Sequence, residues 1–272
     1  VGLNAPLPYL KNEAEKTLRE MRETIKSARS FLKVQGVLQP PVKMNTSTVP
    51  PQYATMCFEF DVFDGDRFLD DVKKDRFGIF RGGVPVLKKG PSGNAAFFNG
   101  KNNFFQVSAT GCKDINPGTN SFSISCNVLL MGEFWNSFMD KRGSTRHIYR
   151  MPGWALGSDR LGKRWRFTIE DTEEKYITLT AISKDMLYKW HNLVAVRNVE
   201  KKKVFLYVDG ILQDEQDDPT ENISNNRPFL CGKDCMVGGG FWGLLDQVTY
   251  WNHALSDKEI KWIQAREFRV QP

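Results

Sequence analysis

Three carboxylates near the start of the β-rich region are the first candidates for chemistry. They are Glu59, Asp61 and Asp64, in the run Glu-Phe-Asp-Val-Phe-Asp. Retaining glycoside hydrolases use two carboxylates about 5 Å apart, one as nucleophile and one as acid. Strand alternation places Glu59 and Asp61 on one face, but Asp64 joins them only through a bulge. We therefore interpret the run as a solvent-facing acidic strand and predict no enzymatic activity.

Metal-binding residue types are present, but their spacing does not fit a metal site. Cys231 and Cys235 are close in sequence, yet zinc requires four ligands and no second close pair exists. With three widely separated histidines, no convincing nucleophile–base set is found. The acidic segment 214–221 has the charge density for calcium but no fixed calcium spacing, which favours a solvated loop. We predict no cofactor, with calcium at 214–221 as the alternative.

Tryptophans offer a different function, stacking on a sugar ring. Carbohydrate sites combine aromatic side chains with short polar ones. Most tryptophans of a β-sandwich lie in its core or at its rim, so the sequence does not indicate which would stack on sugar. The candidates are Trp135, Trp154, Trp165 and Trp242.

Charge and cysteine content limit the functions and cellular compartments that we expect for this protein. The 272 residues carry a net charge of +6, but basic and acidic residues collect in separate segments instead of forming one basic face. This distribution argues against nucleic-acid binding, and no apolar run is long enough for a transmembrane helix. Five cysteines, an odd number, favour free thiols and a reducing compartment. Because the chain begins at Val1, we expect an intracellular or organellar protein that has lost a targeting peptide, in preference to a secreted one.

Residues 1–37 are predicted to form an N-terminal helix. Apolar residues recur at alternating spacings of four and three, which defines a narrow seam. The seam packs on the chain's own β-domain, docks on a partner protein or lies on a membrane surface. For docking, the residues would be Leu18, Met21, Ile25 and Leu32.

Residues 38–52 are predicted to be a proline-rich linker, and residues 53–267 a β-sandwich. Two Pro-Pro pairs exclude helix from the linker. After it, short β-type runs alternate with turns. In the first run, Phe58, Phe60 and Val62 are expected to share one face. The dipeptide Asn99-Gly100 predicts a tight hairpin turn, and a second hairpin is predicted across the charged turn 170–175.

Two segments in the second half resemble a known family. Trp190-His-Asn-Leu-Val-Ala-Val-Arg leads through a charged turn to Val204-Phe-Leu-Tyr-Val-Asp-Gly. Trp190 is expected to plug one end of the core, and Asp209-Gly210 to form the next turn. The segment 238–260 ends in Ala-Leu-Ser-Asp-Lys-Glu-Ile, where Ser256 and Glu259 fit a capping box. These segments are similar to the hairpin and closing strand of laminin-G-like domains in the concanavalin A-like lectin/glucanase superfamily.

That resemblance implies a concanavalin A-like jelly-roll sandwich over residues 53–267. Within the family, glucanases carry Glu-x-Asp-x-x-Glu on a later strand, whereas the run from Glu59 ends in Asp64 and lies on the opening strand. Asp246 is expected to be a buried structural anchor. The favoured function is a non-catalytic interaction module, a structural or accessory subunit that binds other protein subunits through the helix, the linker and the insert 132–162. Carbohydrate binding is the first alternative and a glucanase-type glycosidase the second.

Overall fold

A computed structural model describes residues 53–133, 136–143, 151–159, 162–183, 185–233 and 240–267, together with Glu15 and Arg19. These residues form an all-β sandwich followed by a short helix. The elements in chain order are β1 (Met56–Phe58), β2 (Phe63–Asp64), β3 (Arg67–Leu69), β4 (Phe77–Arg81), β5 (Leu87–Gly90), β6 (Gly93–Asn99), β7 (Phe104–Val107), β8 (Phe122–Leu130), β9 (Asn136–Asp140), β10 (Gly153–Ser158), β11 (Arg164–Glu170), β12 (Tyr176–Ile182), β13 (Trp190–Asn198), β14 (Lys203–Val208), β15 (Ile211–Asp217), β16 (Phe229–Cys231), β17 (Trp242–Trp251) and α1 (Asp257–Glu267).

Two antiparallel sheets are formed within the described ranges. The first sheet has the strand order β15-β14-β13-β8-β17-β6-β5, and β1 also pairs with β17. The second sheet has the order β12-β11-β10-β9-β16-β7-β4-β3-β2. In the first sheet β8 lies between β13 and β17, and all nine of its residues are buried. This strand is therefore covered on both faces.

The core lies between the two sheets and is rich in aromatic side chains. Phe58 of β1 contacts Phe105 of β7 edge-to-face, with ring centroids 4.8 Å apart. Phe122 of β8 reaches across to Phe167 of β11 at 6.2 Å. Such aromatic pairs contribute about 0.5–1.5 kcal/mol each beyond their buried area. Aromatic side chains at alternating strand positions therefore fill the core between the two sheets.

Several predicted local features are confirmed. β11 and β12 form the hairpin across the charged turn, and β13 pairs with β14. Asp209 and Gly210 have φ angles of 52° and 74°, and join β14 to β15. Both positive φ angles fit a tight hairpin turn, which explains the Asp-Gly pair. Buried Asp246 accepts a hydrogen bond from the backbone N–H of Ser92 at 3.3 Å, as expected of a structural anchor.

The predicted capping box of α1 is also confirmed. The backbone N–H of Ser256 donates to Glu259 Oε2 at 2.7 Å, and the Glu259 N–H donates to Ser256 Oγ at 3.4 Å. Leu255 and Ile260, on either side of the cap, are buried in one apolar cluster with Val194 and Val196 of β13. The helix therefore covers the outer face of the first sheet where these two valines lie.

The predicted hairpin at Asn99-Gly100 is wrong. β6 before the turn belongs to the first sheet, whereas β7 after it belongs to the second. Gly100 does have a positive φ of 72°, but the Asn99 side chain organises the following residues into an arch between the sheets. An Asn-Gly pair reports a tight turn and does not determine which strand comes next.

The expected shared face of Phe58, Phe60 and Val62 is also incorrect. Phe58 and Phe60 are buried, but Val62 is 80% exposed. β1 ends at Phe58, and Phe60 has a φ of 56°, which interrupts the alternation of a strand. Trp190 likewise does not plug the core: it is partly exposed and pairs with Leu129 on the outer face of the first sheet.

The insert 132–162 contributes to the fold itself. Its residues form β9 and β10, two adjacent strands within the second sheet, and Trp154 of β10 is buried in the core. The chain separates into two compact units, residues 1–42 and 43–272. Glu15 and Arg19 are helical, but the rest of the predicted helix and linker, with Leu18, Met21, Ile25 and Leu32, lies outside the described residues.

Candidate ligand-binding site

The three carboxylates of the opening run have different surroundings. Glu59 is buried, and its Oε2 accepts a hydrogen bond from Gln247 Nε2 at 3.3 Å. Asp61 accepts the backbone N–H of Asn94 at 2.6 Å, and burial raises its pKa although that bond opposes the rise. Asp64 is exposed on β2. The expectation of a solvent-facing strand is therefore wrong for Glu59, because β1 ends before it and its side chain has an amide partner on β17.

The acidic segment 214–221 is a set of ion pairs and hydrogen bonds. Asp214 accepts the Thr180 N–H at 2.8 Å, and Asp217 lies 3.0 Å from Lys203 Nζ. Buried Arg197 donates to Asp218 at 2.6 Å. Residues 211–217 form β15, so the prediction of a solvated loop is wrong for that part. The carboxylates face protein cations, and among the described residues no group of three or more His, Cys, Asp and Glu side chains could hold a metal ion.

The described cysteines are buried, and no disulfide joins them. They are Cys57, Cys112, Cys126 and Cys231, and Cys235 lies outside the described residues. Burial raises the pKa of the Cys57 and Cys231 thiols well above the ordinary value. A thiol that stays protonated is a poor nucleophile and a poor metal ligand. These positions therefore serve as small core residues.

The candidate tryptophans separate into core and surface positions. Trp154 and Trp165 are fully buried in the core, which removes them as stacking surfaces for a ligand. Trp135 lies outside the described residues. Trp242 is 36% exposed at the start of β17. Trp190, which the sequence pattern predicts in the core, is also partly exposed.

Trp190 and Trp242 lie on the same outer face of the first sheet. Leu245 and its partner Val128 belong to the core, so their neighbours Leu244 and Leu129 face outwards. Trp190 is paired with Leu129, and Trp242 is two residues from Leu244 on β17. Strands β13 and β17 flank β8, which separates the two tryptophans laterally by about 10 Å. We call the partly exposed Trp190 and Trp242, together with the buried Leu129 and Leu244 that lie between them in the sheet, the tryptophan face.

The arch 99–103 supports Trp242 at the edge of the tryptophan face. Asn99 pairs with Trp242, and its Oδ1 accepts the backbone N–H groups of Lys101 at 2.9 Å and Asn102 at 3.2 Å. A Cβ on Gly100 would lie 2.8 Å from the Cβ of Trp242, so the indole-bearing residue rests against a glycine. Lys101 and Asn102 are exposed in the same arch. The arrangement combines an aromatic surface with an amide and an ammonium group.

A family comparison identifies the sandwich. The laminin-G model of the concanavalin A-like lectin/glucanases superfamily matches residues 97–261, which include both tryptophans of the face. The chain belongs to this superfamily. The resemblance inferred from the hairpin and the closing strand is therefore confirmed. Among curated proteins, no sequence matches the chain significantly.

Solved structures with the same fold include toxin binding domains. The receptor-binding domain of botulinum neurotoxin D is 12% identical to this chain, with a TM-score of 0.61. The aligned region covers 79% of this chain and 53% of the neurotoxin domain. The binding domain of Paraclostridial Mosquitocidal Protein 1 is 15% identical to this chain, with a TM-score of 0.64. The aligned region covers 80% of this chain and 53% of that binding domain.

A third similar structure is the ligand-binding domain of botulinum neurotoxin serotype D in complex with N-acetylneuraminic acid. It is 12% identical to this chain, with a TM-score of 0.62, and the aligned region covers 80% of this chain and 52% of the neurotoxin domain. The superfamily member described here thus spans about half the length of these structures. Identities this low show a common fold. No helix among the described residues is long and apolar enough to span a membrane.

Proposed function

We propose that this chain is a non-catalytic binding module whose tryptophan face recognises a carbohydrate. The observation that carries the proposal is the position of Trp190 and Trp242, two partly exposed tryptophans on one outer face, with the buried Leu129 and Leu244 between them in the sheet. Aromatic rings bind the apolar faces of sugars, and nearby amide and ammonium groups donate hydrogen bonds to hydroxyls and carboxylates. The neurotoxin domain with bound N-acetylneuraminic acid shows that a related fold accommodates such a ligand.

Binding is favoured over hydrolysis because the carboxylates of the opening run have structural roles. Glu59 is buried beside Gln247, and Asp61 holds the Asn94 amide. Retaining hydrolysis requires two carboxyl groups about 5 Å apart on either side of a bound sugar. The tryptophan face carries none of these three carboxylates. These observations support the proposal of binding in preference to hydrolysis.

The proposal is tested by screening the whole chain on a glycan array and measuring the best ligand by calorimetry. Trp242→Ala should weaken binding at least tenfold, about 1.4 kcal/mol, through loss of the stacking surface. Trp190→Ala should also weaken it. Trp262→Ala is the matched control, because that indole is 51% exposed on α1, outside the face. Glycan binding that survives both face substitutions would refute the assignment.

Docking of a protein partner through the N-terminal seam is the second candidate function. Glu15 and Arg19 are helical and exposed, as expected for residues that the predicted pattern places outside the seam. Replacing Leu18 and Ile25 with Asp should abolish migration in the native complex, since each change puts a carboxylate into an apolar contact. Arg19→Asp adds the same group outside the seam and should have no such effect. Equal behaviour of the two variants would remove this candidate.

A further inference from the structure

His191 has a hydrogen-bond acceptor at each ring nitrogen. Its Nδ1 lies 2.8 Å from Asp209 Oδ2, and its Nε2 lies 2.9 Å from the backbone oxygen of Asp185. A neutral imidazole has one N–H group and can donate only one of these bonds, whereas the imidazolium donates both. The ring is 8% exposed, so water does not readily replace a lost partner. The geometry therefore fits the protonated form.

The groups around His191 favour its positive charge. Asp209 faces Nδ1 from the turn between β14 and β15, and its Oδ1 is held by the Asn192 N–H at 2.9 Å. Segment 185–189 contributes the Asp185 carboxylate, which is paired with Lys189 at 2.9 Å. From β11 the uncharged Trp165 ring packs 5.3 Å from the imidazole. Burial disfavours the charge, but the hydrogen bonds to Asp209 and Asp185 outweigh burial and Lys189 and raise the pKa of His191.

Segment 185–189 is connected to the tryptophan face through the end of β8. The Tyr188 N–H donates to the Leu130 carbonyl at 2.8 Å, and Leu187 forms a bridge with Leu130. The next residue, Met131, donates its N–H to the Trp242 carbonyl at 2.9 Å. His191 itself directly follows Trp190. Its bond to Asp185 thus holds a segment that bonds to the end of β8 and leads directly into Trp190.

We propose that protonated His191 is a pH-sensitive clamp that holds segment 185–189 against β8 and keeps the tryptophan face assembled. The regulatory part of this inference rests on the proposed function, whereas the clamp itself does not. Because the folded state raises the pKa, the stabilisation is complete below the ordinary histidine value of about 6.5. It is lost as the pH rises through the raised value. Segment 185–189 should then open more often, and ligand affinity should fall.

The clamp is tested without ligand by two measurements on the whole chain. Long-range ¹H–¹⁵N spectra should show both His191 nitrogens protonated at a pH of about 6.5, where a free histidine is half neutral. The hydrogen-exchange protection factor of the Tyr188 amide should fall about tenfold between roughly pH 6 and pH 9. A neutral ring at about pH 6, or a constant protection factor, would overturn the clamp.

Two variants separate the clamp from a general loss of stability. His191→Gln should make the Tyr188 protection factor independent of pH, and His253→Gln should leave the wild-type profile. Asp209→Asn keeps an acceptor for the Asn192 N–H and tolerates the positive φ, so it should fold and move the transition to lower pH. If Tyr188 exchange titrates but no glycan binds, the clamp stands and the proposed function fails. If glycan binding is independent of pH, the regulatory role fails.

Discussion

The two ends of strand β13 use their side chains in different ways. At the Arg197 end, charged and polar groups are satisfied within the protein: Arg197 is buried and donates to Asp218 at 2.6 Å and to the carbonyl of Gly118 at 3.0 Å. At the Trp190 end, Leu129 and Leu244 lie between two tryptophans, and Trp242 remains exposed. Charged residues at one end hold loops together, whereas the other end leaves Trp242 exposed, which is where we propose that a ligand binds.

The described cavity lies at the opposite end of β13 from the site that we propose. A cavity of about 360 Å³ lies at the Arg197 end, with Lys202, Asp218 and Glu221 among its lining residues. Arg197 also donates to the carbonyls of Thr220 and Glu221 at 2.9 and 2.8 Å. The guanidinium group is thus committed to closing this loop. We therefore assign a structural role to the charged groups of this cavity and keep the tryptophan face as the proposed ligand site.

The largest expected effect on stability comes from removing the charge of Arg197. Arg197→Met should lower the free energy of unfolding by about 3–5 kcal/mol, because the buried Asp218 carboxylate loses its partner. Lys202→Met, at an exposed position of the same cavity, should change stability by less than about 0.5 kcal/mol. Urea denaturation measures both values. A loss below about 1 kcal/mol for Arg197→Met would show that the network is not structural.

The sequence was informative about this strand but not about its two ends. The hairpin of β13 with β14 and the Asp209-Gly210 turn follow from local sequence, and both predictions are confirmed. Trp190 was misassigned because an aromatic residue at the start of a strand can face either side, and the face depends on register with β8. Arg197 bonds to residues of loops that are distant from it in sequence, and no local sequence pattern predicts these partners.

The candidate site was only partly predictable for the same reason. Trp242 was among the four candidate tryptophans, but so were Trp154 and Trp165, which are in the core. All of them occur in similar β-type runs, so composition does not distinguish them. Only the pairing of β17 with β6 and β8 brings Trp242 beside the exposed arch 99–103. His191 was seen as an isolated histidine, because Asp185 and Asp209 approach it through turns.

A smaller loss of stability is expected from substitutions that test how the arch 99–103 positions Trp242. Gly100 and Gly65 both have positive φ angles, 72° and 62°, but only Gly100 has Trp242 within contact of a new Cβ. Gly65→Ala should cost about 1–2 kcal/mol from backbone strain alone. Gly100→Ala should cost more and also weaken glycan binding, since Trp242 must shift. Equal costs with unchanged binding would show that the arch does not position Trp242.

The smallest expected effect lies between the two ends, on helix α1. Ser256→Ala should lower stability by about 1 kcal/mol through loss of the cap, with no effect on glycan affinity. The backbone N–H and the hydroxyl of Ser256 hold the pKa of Glu259 below its usual range. That contribution is present above the ordinary glutamate value of about 4.3 and is lost as the pH falls through the lowered value. Melting curves at neutral and acidic pH should therefore show a smaller difference between the variants in acid.

The most direct test of the tryptophan face is an NMR titration that observes the indole N–H groups with the best glycan from the array. Binding at the face should shift the signals of Trp190 and Trp242. The signals of buried Trp154 and Trp165, and of Trp262 on α1, should stay in place. Saturable shifts at Trp190 and Trp242 alone would establish the face as the ligand site. Shifts centred on Trp262, or glycan binding that moves neither Trp190 nor Trp242, would contradict it.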